Sequence, residues 1–294
     1  MLLIYHLLLE LSSACATLPS CRQSDWRFLF GERIRRQKHG RMRDPGAQAT
    51  IRLIHQSNGN TQHLLKTFHK SKHFEEESRA LGCVSGVRGF IRAECTIPER
   101  SAIVMEYADR GDLTNVSYPL PASSLPQITR TLIEAIHELH AKGFIHHDIK
   151  PANVVLKDTF EAKIIDLGLS KQIGQASKGR GTPITMAPEQ LLTSLGVEPN
   201  SAIDWWSLGV TLFYLHCRQN NPSQRQGDRR CYPYELERED GQVTRLNPNL
   251  EPARSFDKHA RRLITRLLTM DPRRRDFDGE RAKKLLDSPY LNWK

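Results

Sequence analysis

The stretch Phe144-Ile-His-His-Asp-Ile-Lys-Pro-Ala-Asn-Val-Val-Leu156, with Ile164-Ile-Asp-Leu-Gly-Leu-Ser170 beyond it, decides how the chain is read. Two carboxylates, Asp148 and Asp166, stand eighteen residues apart, with Lys150 and Asn153 between them. Apolar β-formers flank each polar cluster, a pattern of short strands presenting loops. An Asp, a Lys and an Asn at this spacing can accept a hydroxyl proton, neutralise a phosphate and hold a metal. Hard divalent cations such as Mg²⁺ take oxygen ligands and usually keep substrate phosphates in their shell. Phosphoryl transfer needs positioning and charge neutralisation more than covalent chemistry.

These residues resemble the catalytic and metal-binding loops of eukaryotic-type protein kinases, whose signatures run H-R-D-L-x-x-x-N, then D-F-G, then A-P-E. Here the first reads His146-His147-Asp148-Ile149-Lys150-Pro151-Ala152-Asn153, the second Asp166-Leu167-Gly168 and the third Ala187-Pro188-Glu189. Three motifs in order are far more specific than one. The resemblance covers about Asp44 to Trp293. It implies an α+β, two-lobed protein-kinase-like fold, with a small β-rich N-lobe at about residues 25–107 and a larger, mainly helical C-lobe at about 108–294.

Upstream of the central stretch, Thr50 to Gln56 alternates as a strand and Thr61 to Phe68 returns. Asn58-Gly59 between them is a hairpin signal, because both residues tolerate positive φ. Lys66 on the returning strand matches the family's phosphate-holding lysine. Its partner should be a Glu on the helix near Phe74 to Leu81; Glu77 fits best, with Glu75 and Glu76 as rivals. Such an ion pair would fix the lysine against the α- and β-phosphates. Leu64 stands where the family usually has a small Ala above the adenine. The glycine-rich loop matches poorly: in Asp44-Pro-Gly-Ala-Gln-Ala-Thr-Ile51 only Gly46 remains of three glycines, and Ile51 replaces a Val. Strands are expected near Phe90 to Thr96 and Ser101 to Glu106. The second leads into a hinge-like segment, in which Met105 would line the back of the pocket. Glu106 and Ala108 would offer backbone groups to adenine, and Asp112 would reach the ribose.

Downstream, Leu125 to Ala141 has apolar residues at helical spacing and ends near Gly143. Within Asp166 to Glu189, Thr182 occupies the substrate-docking segment and would bond near Asp148 and Lys150. Glu189 should pair with Arg275, and Asp204, on a buried helix from Ser201, should accept backbone hydrogen bonds from the catalytic loop. Arg218 to Asn247 is polar and basic, and reads as loops and short helices. His259 to Leu286 returns to helical spacing.

A chain of 294 residues, 38% hydrophobic and 26% charged, fits a globular protein of one or two domains. Its +10 charge reads as a solvated basic surface, with nucleic acid a disfavoured partner. The six cysteines, with no C-x-x-C pair, indicate neither a zinc site nor a disulfide framework. A reducing compartment follows, cytoplasmic and/or nuclear, with secretion less favoured. Residues 1–24 form an extension or a signal-like segment: Met1 to Leu11 is apolar, but no Lys or Arg precedes it and His6 and Glu10 interrupt it. Eleven or so residues are too few to span a bilayer. A helical extension packing on the first lobe is the favoured reading.

The function implied is ATP- and Mg²⁺-dependent phosphorylation of Ser or Thr in protein substrates by a monomer. Asp148 would take the hydroxyl proton, Lys150 would meet the γ-phosphate, and Asn153 and Asp166 would hold the metal. The main alternative is a non-catalytic, kinase-like binding module, supported by the eroded glycine loop and Leu64. A small-molecule kinase of related fold is disfavoured by the docking segment. His147 replaces the Arg that usually pairs with a phosphorylated activation loop, so a phosphate on Ser170 or Ser177 would lack its partner.

Overall fold

In a computed structural model of the chain, β1 (Trp26–Arg33), β2 (Ala49–Gln56), β3 (Gln62–Phe68), β4 (Ala93–Ile97) and β5 (Ala102–Glu106) build one antiparallel sheet in the order β1-β2-β3-β5-β4. The structure describes residues 16–22, 26–33 (backbone alone), 49–56, 61–175, 180–192, 200–224, 228–275, 277 and 279–292. The Asn58-Gly59 turn and Gly46 lie outside these residues. Side chains on a strand alternate between faces, so β3 serves two cores. Leu65 joins Ile54, Ile97, Ala102 and Val104 on the outer face, while Leu64 and Phe68 pack against the larger core on the inner one. Lys66 shares that inner face. The strand expected at Phe90 starts later, at Ala93; Phe90 itself makes an isolated parallel bridge to Ile164.

The outer core is closed by the chain's own beginning. The Cys21 N–H donates to the Thr96 carbonyl at 2.9 Å, and the Thr96 N–H to the Pro19 carbonyl at 2.8 Å. Cys21 and Cys95, 74 residues apart, are joined by a disulfide, and Cys83 is disulfide-bonded as well. This corrects the expectation that the cysteines form no disulfides: scattered spacing carries no pairing information, and only the fold brings them together. Residues 16–22 do lie on the first lobe, but as an extended segment; the apolar run before them is outside the described residues.

Helix α1 (Ser71–Cys83) crosses behind the sheet and buries Glu77 and Leu81. The second lobe is built on α2 (Ser124–Ala141), whose Ile128, Leu132, Ile133, Ala135, Ile136 and Leu139 are all buried, as their spacing predicts. The helix ends where Gly143 takes a φ of 81° and its N–H caps the His140 carbonyl. Helix α3 (Pro188–Leu191) follows, then α4 (Ala202–Asn220), which is buried on every side from Ala202 to Arg218. A helix buried all round belongs in the middle of a lobe. Helix α5 (Lys258–Leu267) approaches it at Gly209, where a Cβ would stand 2.9 Å from Leu267 Cβ. Short helices α6 (Pro272–Arg275) and α7 (Glu280–Leu286) complete the lobe.

Between α4 and α5 the chain departs from the loops and short helices expected of residues 218–247. Tyr234–Glu239 and Gln242–Pro248 pair as an antiparallel hairpin. Asp240 and Gly241 turn it, with φ of 47° and 81°, the positive values a primed two-residue turn demands. Tyr234 and Leu236 face the core while Glu235, Glu237 and Glu239 are exposed. No helix among the described residues is long and apolar enough to cross a membrane.

Candidate active site

Short strands deliver the polar loops to the cleft: Phe144–Ile145 leads into His146, Val154–Leu156 leaves Asn153, and Ala162–Ile164 leads to Asp166. Beneath them Asp204, on the first turn of α4, is wholly buried. Its carboxylate accepts the backbone N–H of His146 at 2.7 Å and of His147 at 2.9 Å, and its Oδ2 lies 2.9 Å from His140 Nε2. Burial would raise this carboxyl, but the His140 hydrogen bond and charge outweigh it and hold it below the usual carboxylate range. A buried charge is tolerated only when partnered in this way. Here the partners are the His140 ring and the backbone of His146 and His147, the two residues before Asp148.

Asp148 is the meeting point of three side chains. Lys150 Nζ donates to its Oδ2 at 2.6 Å, Thr182 Oγ1 to its Oδ1 at 2.7 Å, and Asn153 Nδ2 to its Oδ2 at 3.0 Å. Lys150 also donates to Thr182 Oγ1 at 2.8 Å, closing a triangle across 34 residues of sequence. Gly181 permits the approach, since it has a φ of 115° and a Cβ there would lie 2.4 Å from the His147 carbonyl oxygen.

Lys66 donates to both Glu77 oxygens, at 2.6 and 2.7 Å, and to Asp166 Oδ1 at 2.9 Å. Of the three candidate glutamates, Glu77 is the one bonded to Lys66; Glu76 is bonded instead to Lys171. Burial alone would lower the Lys66 pKa, but the charges of Glu77 and Asp166 overcome it and raise it. Asp166 moves the other way: burial would raise it, and the Lys66 charge and hydrogen bond bring it below its ordinary value.

The residues present suit a hard divalent cation. Asn153 Oδ1 is buried and without a hydrogen-bond partner, while its amide nitrogen is held by Asp148. A buried oxygen left unmatched calls for an electropositive partner. The Ile165 N–H donates to the Asn153 carbonyl at 2.9 Å, which brings the Asp166 segment beside it. Two oxygen-bearing side chains on facing loops are the donor chemistry Mg²⁺ prefers.

Of the residues expected at the nucleotide pocket, Ile51 and Met105 lie on the inner face of the sheet. Ile51 pairs with Lys66 across β2 and β3, and Leu64 with Met105 across β3 and β5. Ala108 follows in the link to the second lobe and is buried. The Glu106 carboxylate accepts the Arg92 N–H at 2.8 Å and Lys157 Nζ at 3.1 Å. Asp112 spends its oxygens locally: one accepts from the Thr114 N–H and hydroxyl, the other from Asn115 Nδ2 at 2.7 Å. Lys157, which ties the strand after Asn153 to Glu106, is a residue that sequence reasoning missed; no spacing rule points to it. At the far end, Arg275 and Glu189 form a fully buried ion pair, with Arg275 Nε also donating to the Ala202 carbonyl at 2.9 Å.

A sheet-rich lobe and a helical lobe with these side chains meeting between them make the two-lobed fold of a protein kinase. The Cydia pomonella granulovirus kinase PK-1 shares that fold, with a TM-score of 0.64 at 18% identity over 91% of this chain and 95% of that one. A family model for the protein kinase domain matches residues 46–291. The ovarian-specific serine/threonine-protein kinase Lok of Drosophila melanogaster is 28% identical over 273 residues, 84% of this chain and 56% of that protein. The serine/threonine-protein kinase ppk34 of Schizosaccharomyces pombe is 34% identical over 121 residues, 38% of this chain and 34% of that protein. The chain belongs to the protein kinase family. The chain spans 56% of the length of Lok and 34% of that of ppk34.

Proposed function

We propose that the chain is an ATP- and Mg²⁺-dependent serine/threonine protein kinase. The observation that carries this reading is the hydrogen-bonded triangle of Asp148, Lys150 and Thr182 beside a Lys66 already paired with Glu77 and Asp166. In the proposed reaction a Ser or Thr hydroxyl of a protein substrate attacks the γ-phosphorus of ATP. A new O–P bond forms, the bond to the β-phosphate oxygen breaks, and Asp148 receives the hydroxyl proton. Thr182 and Lys150 fix the orientation of that carboxylate, and Lys150 balances charge on the transferred group. Lys66, kept in place by Glu77, holds the α- and β-phosphates. Asn153 and Asp166 would hold Mg²⁺, which supplies charge neutralisation at the phosphates. Gly46, Ile51, Met105 and the backbone of Glu106 and Ala108 would enclose the nucleotide. For Asp112 to reach the ribose it must first give up its bonds to Thr114 and Asn115. Thr182 would also mark where the substrate docks, with Glu189, Arg275 and Asp204 holding the surrounding loops.

The test is direct. Purified protein is incubated with labelled ATP and Mg²⁺ on a generic basic protein, beside Asp166→Ala. Label on the substrate that the variant loses supports the enzyme. Absence of Asp166-dependent label would shift the reading to a kinase-like binding module, which the half-buried Leu64 opposite Met105 would then help to explain.

A further inference from the structure

Cys217 lies on the last turns of α4, and Cys231 ends the short 3₁₀ turn Arg229–Cys231 that leads into the hairpin. Both are fully buried, and their sulfurs stand 2.7 Å apart. Unbonded heavy atoms settle at roughly 3.5–4.0 Å, whereas a disulfide needs about 2.05 Å. The pair is therefore inside contact distance and about 0.7 Å short of a bond. The two thiols also converge on one acceptor: Cys231 Sγ lies 2.7 Å from Gln224 Oε1 and Cys217 Sγ 3.5 Å from it. Among the described residues no group of His, Cys, Asp and Glu is arranged to hold a metal, so the convergence is not a metal site. A second observation bears on the same chemistry: Cys21–Cys95 and Cys83 are already in disulfides. Such bonds persist in oxidising compartments and are rare where thiols are kept reduced.

We propose that Cys217 and Cys231 are a disulfide site, closed when this kinase folds in an oxidising compartment rather than in cytosol or nucleus. One thiolate attacks the disulfide of a small-molecule or protein disulfide oxidant, forming a mixed disulfide and releasing one oxidant thiol. The second cysteine attacks the mixed disulfide, releasing the other. Two protein thiols lose two electrons and two protons, and the oxidant's disulfide becomes two thiols. Because both sulfurs are buried in the folded chain, the exchange occurs before this region closes.

The cross-link would tie the end of α4 to the root of the hairpin, and that root supports the docking segment. The Tyr232 ring packs against Tyr214 of α4 with centroids 5.5 Å apart. Two residues on, the Tyr234 hydroxyl accepts from Trp206 Nε1 at 3.0 Å and donates to the Ile184 carbonyl at 2.8 Å, just past Thr182.

The full chain is produced by export through an oxidising secretory compartment, purified folded, denatured without reductant in N-ethylmaleimide, digested and read by mass spectrometry. The expected result is one species holding the Cys217 and Cys231 peptides together. It is two hydrogens lighter than the separate thiol peptides and disappears on reduction, and the Cys21–Cys95 species accompanies it. Maleimide on Cys217 and Cys231 while Cys21–Cys95 is linked overturns the proposal, as does either cysteine linked elsewhere. Maleimide on all four overturns the oxidising compartment with it.

Discussion

Lys66 and Asp166 are 100 residues apart in sequence, yet the ammonium of one donates to the carboxylate of the other at 2.9 Å. The contact joins the sheet of the first lobe to the Asp166 loop of the second. Glu77 competes for the same ammonium, so two carboxylates share one positive charge. Glu77 is the less well compensated: burial, with Asp166 adding, pushes it up to about 7. The Lys66 ammonium is thus held by one carboxylate from each lobe.

Replacing Lys66 by Met leaves Glu77 and Asp166 facing each other with no cation between them. Under the proposed mechanism, Lys66→Met lowers kcat/KM at least about a hundredfold, the scale seen when one preorganised electrostatic group is removed. Lys66→Arg falls well short of wild type, because a planar fork cannot occupy the place of a compact ammonium bonded on two sides. Steady-state assays with labelled ATP, alongside circular dichroism to check folding, test both. A Lys66→Met variant within tenfold of wild type would remove this residue from the mechanism.

His147 sits with a φ of 68°, buried, and neither ring nitrogen has a hydrogen-bond partner. Burial lowers its pKa, so it is neutral near pH 7 and offers no fixed charge to a phosphate. Lys171, one of the nearby cations, is drawn towards Glu76 at 3.4 Å. Activity should therefore depend little on loop phosphorylation. Ser170→Ala and Ser177→Ala, Ser177 lying outside the described residues, are expected within about threefold of wild-type kcat. A change of orders of magnitude on Ser177→Ala or Ser177→Glu would show that some other cation reads the loop.

Arg275 and Glu189 are both fully buried, and Arg275 also stacks over Trp206 at 5.1 Å. Removing one member of a buried pair strands the other charge, at a cost of about 3–5 kcal/mol. Arg275→Met should lower unfolding stability by that amount in denaturant titration. The double variant Arg275→Met with Glu189→Leu should recover much of it, since no charge is then left unpaired. A single variant as stable as wild type would mean that the site admits water.

The readable parts of this chain are those where chemistry is tied to local spacing. Asp148, Lys150 and Asn153 fall on one short loop, so their convergence follows from sequence order. Lys66 and Glu77 were legible through the family resemblance, which places a lysine on the returning strand and its partner Glu on the next helix, with Glu75 and Glu76 left as rivals. Pairings set only by the tertiary path were hidden: Cys21 with Cys95, Cys217 with Cys231, and Lys157 with Glu106 all join segments whose separation obeys no motif. The hairpin at residues 234–248 was hidden for another reason. Its Asp240-Gly241 turn is a good signal, but the flanking strands are mostly polar or charged and carry few apolar residues. Two-residue periodicity is faint when so little of one face is buried.

His216, on α4, gives the chain a pH dependence of its own. The ring is buried, its Nε2 lies 2.9 Å from the Tyr290 hydroxyl, and Phe256 packs beside it with centroids 5.4 Å apart. Burial pushes its pKa down to about 4, with Asp257 opposing weakly. In the unfolded chain the same ring titrates near about 6.5. Between those values the unfolded state holds a proton that the folded state does not, so stability falls as pH drops. The contribution is fully present above about pH 6.5 and is lost progressively towards pH 4, at up to about 1.4 kcal/mol per pH unit. His216→Gln keeps a polar group near Tyr290 and removes the titration. Urea unfolding of both proteins at several pH values from 7.5 to 4.5 should show wild type losing stability more steeply, the gap widening below pH 6.5. If the two lose stability in parallel, the His216 ring is accessible to protons in the folded state and burial does not control it.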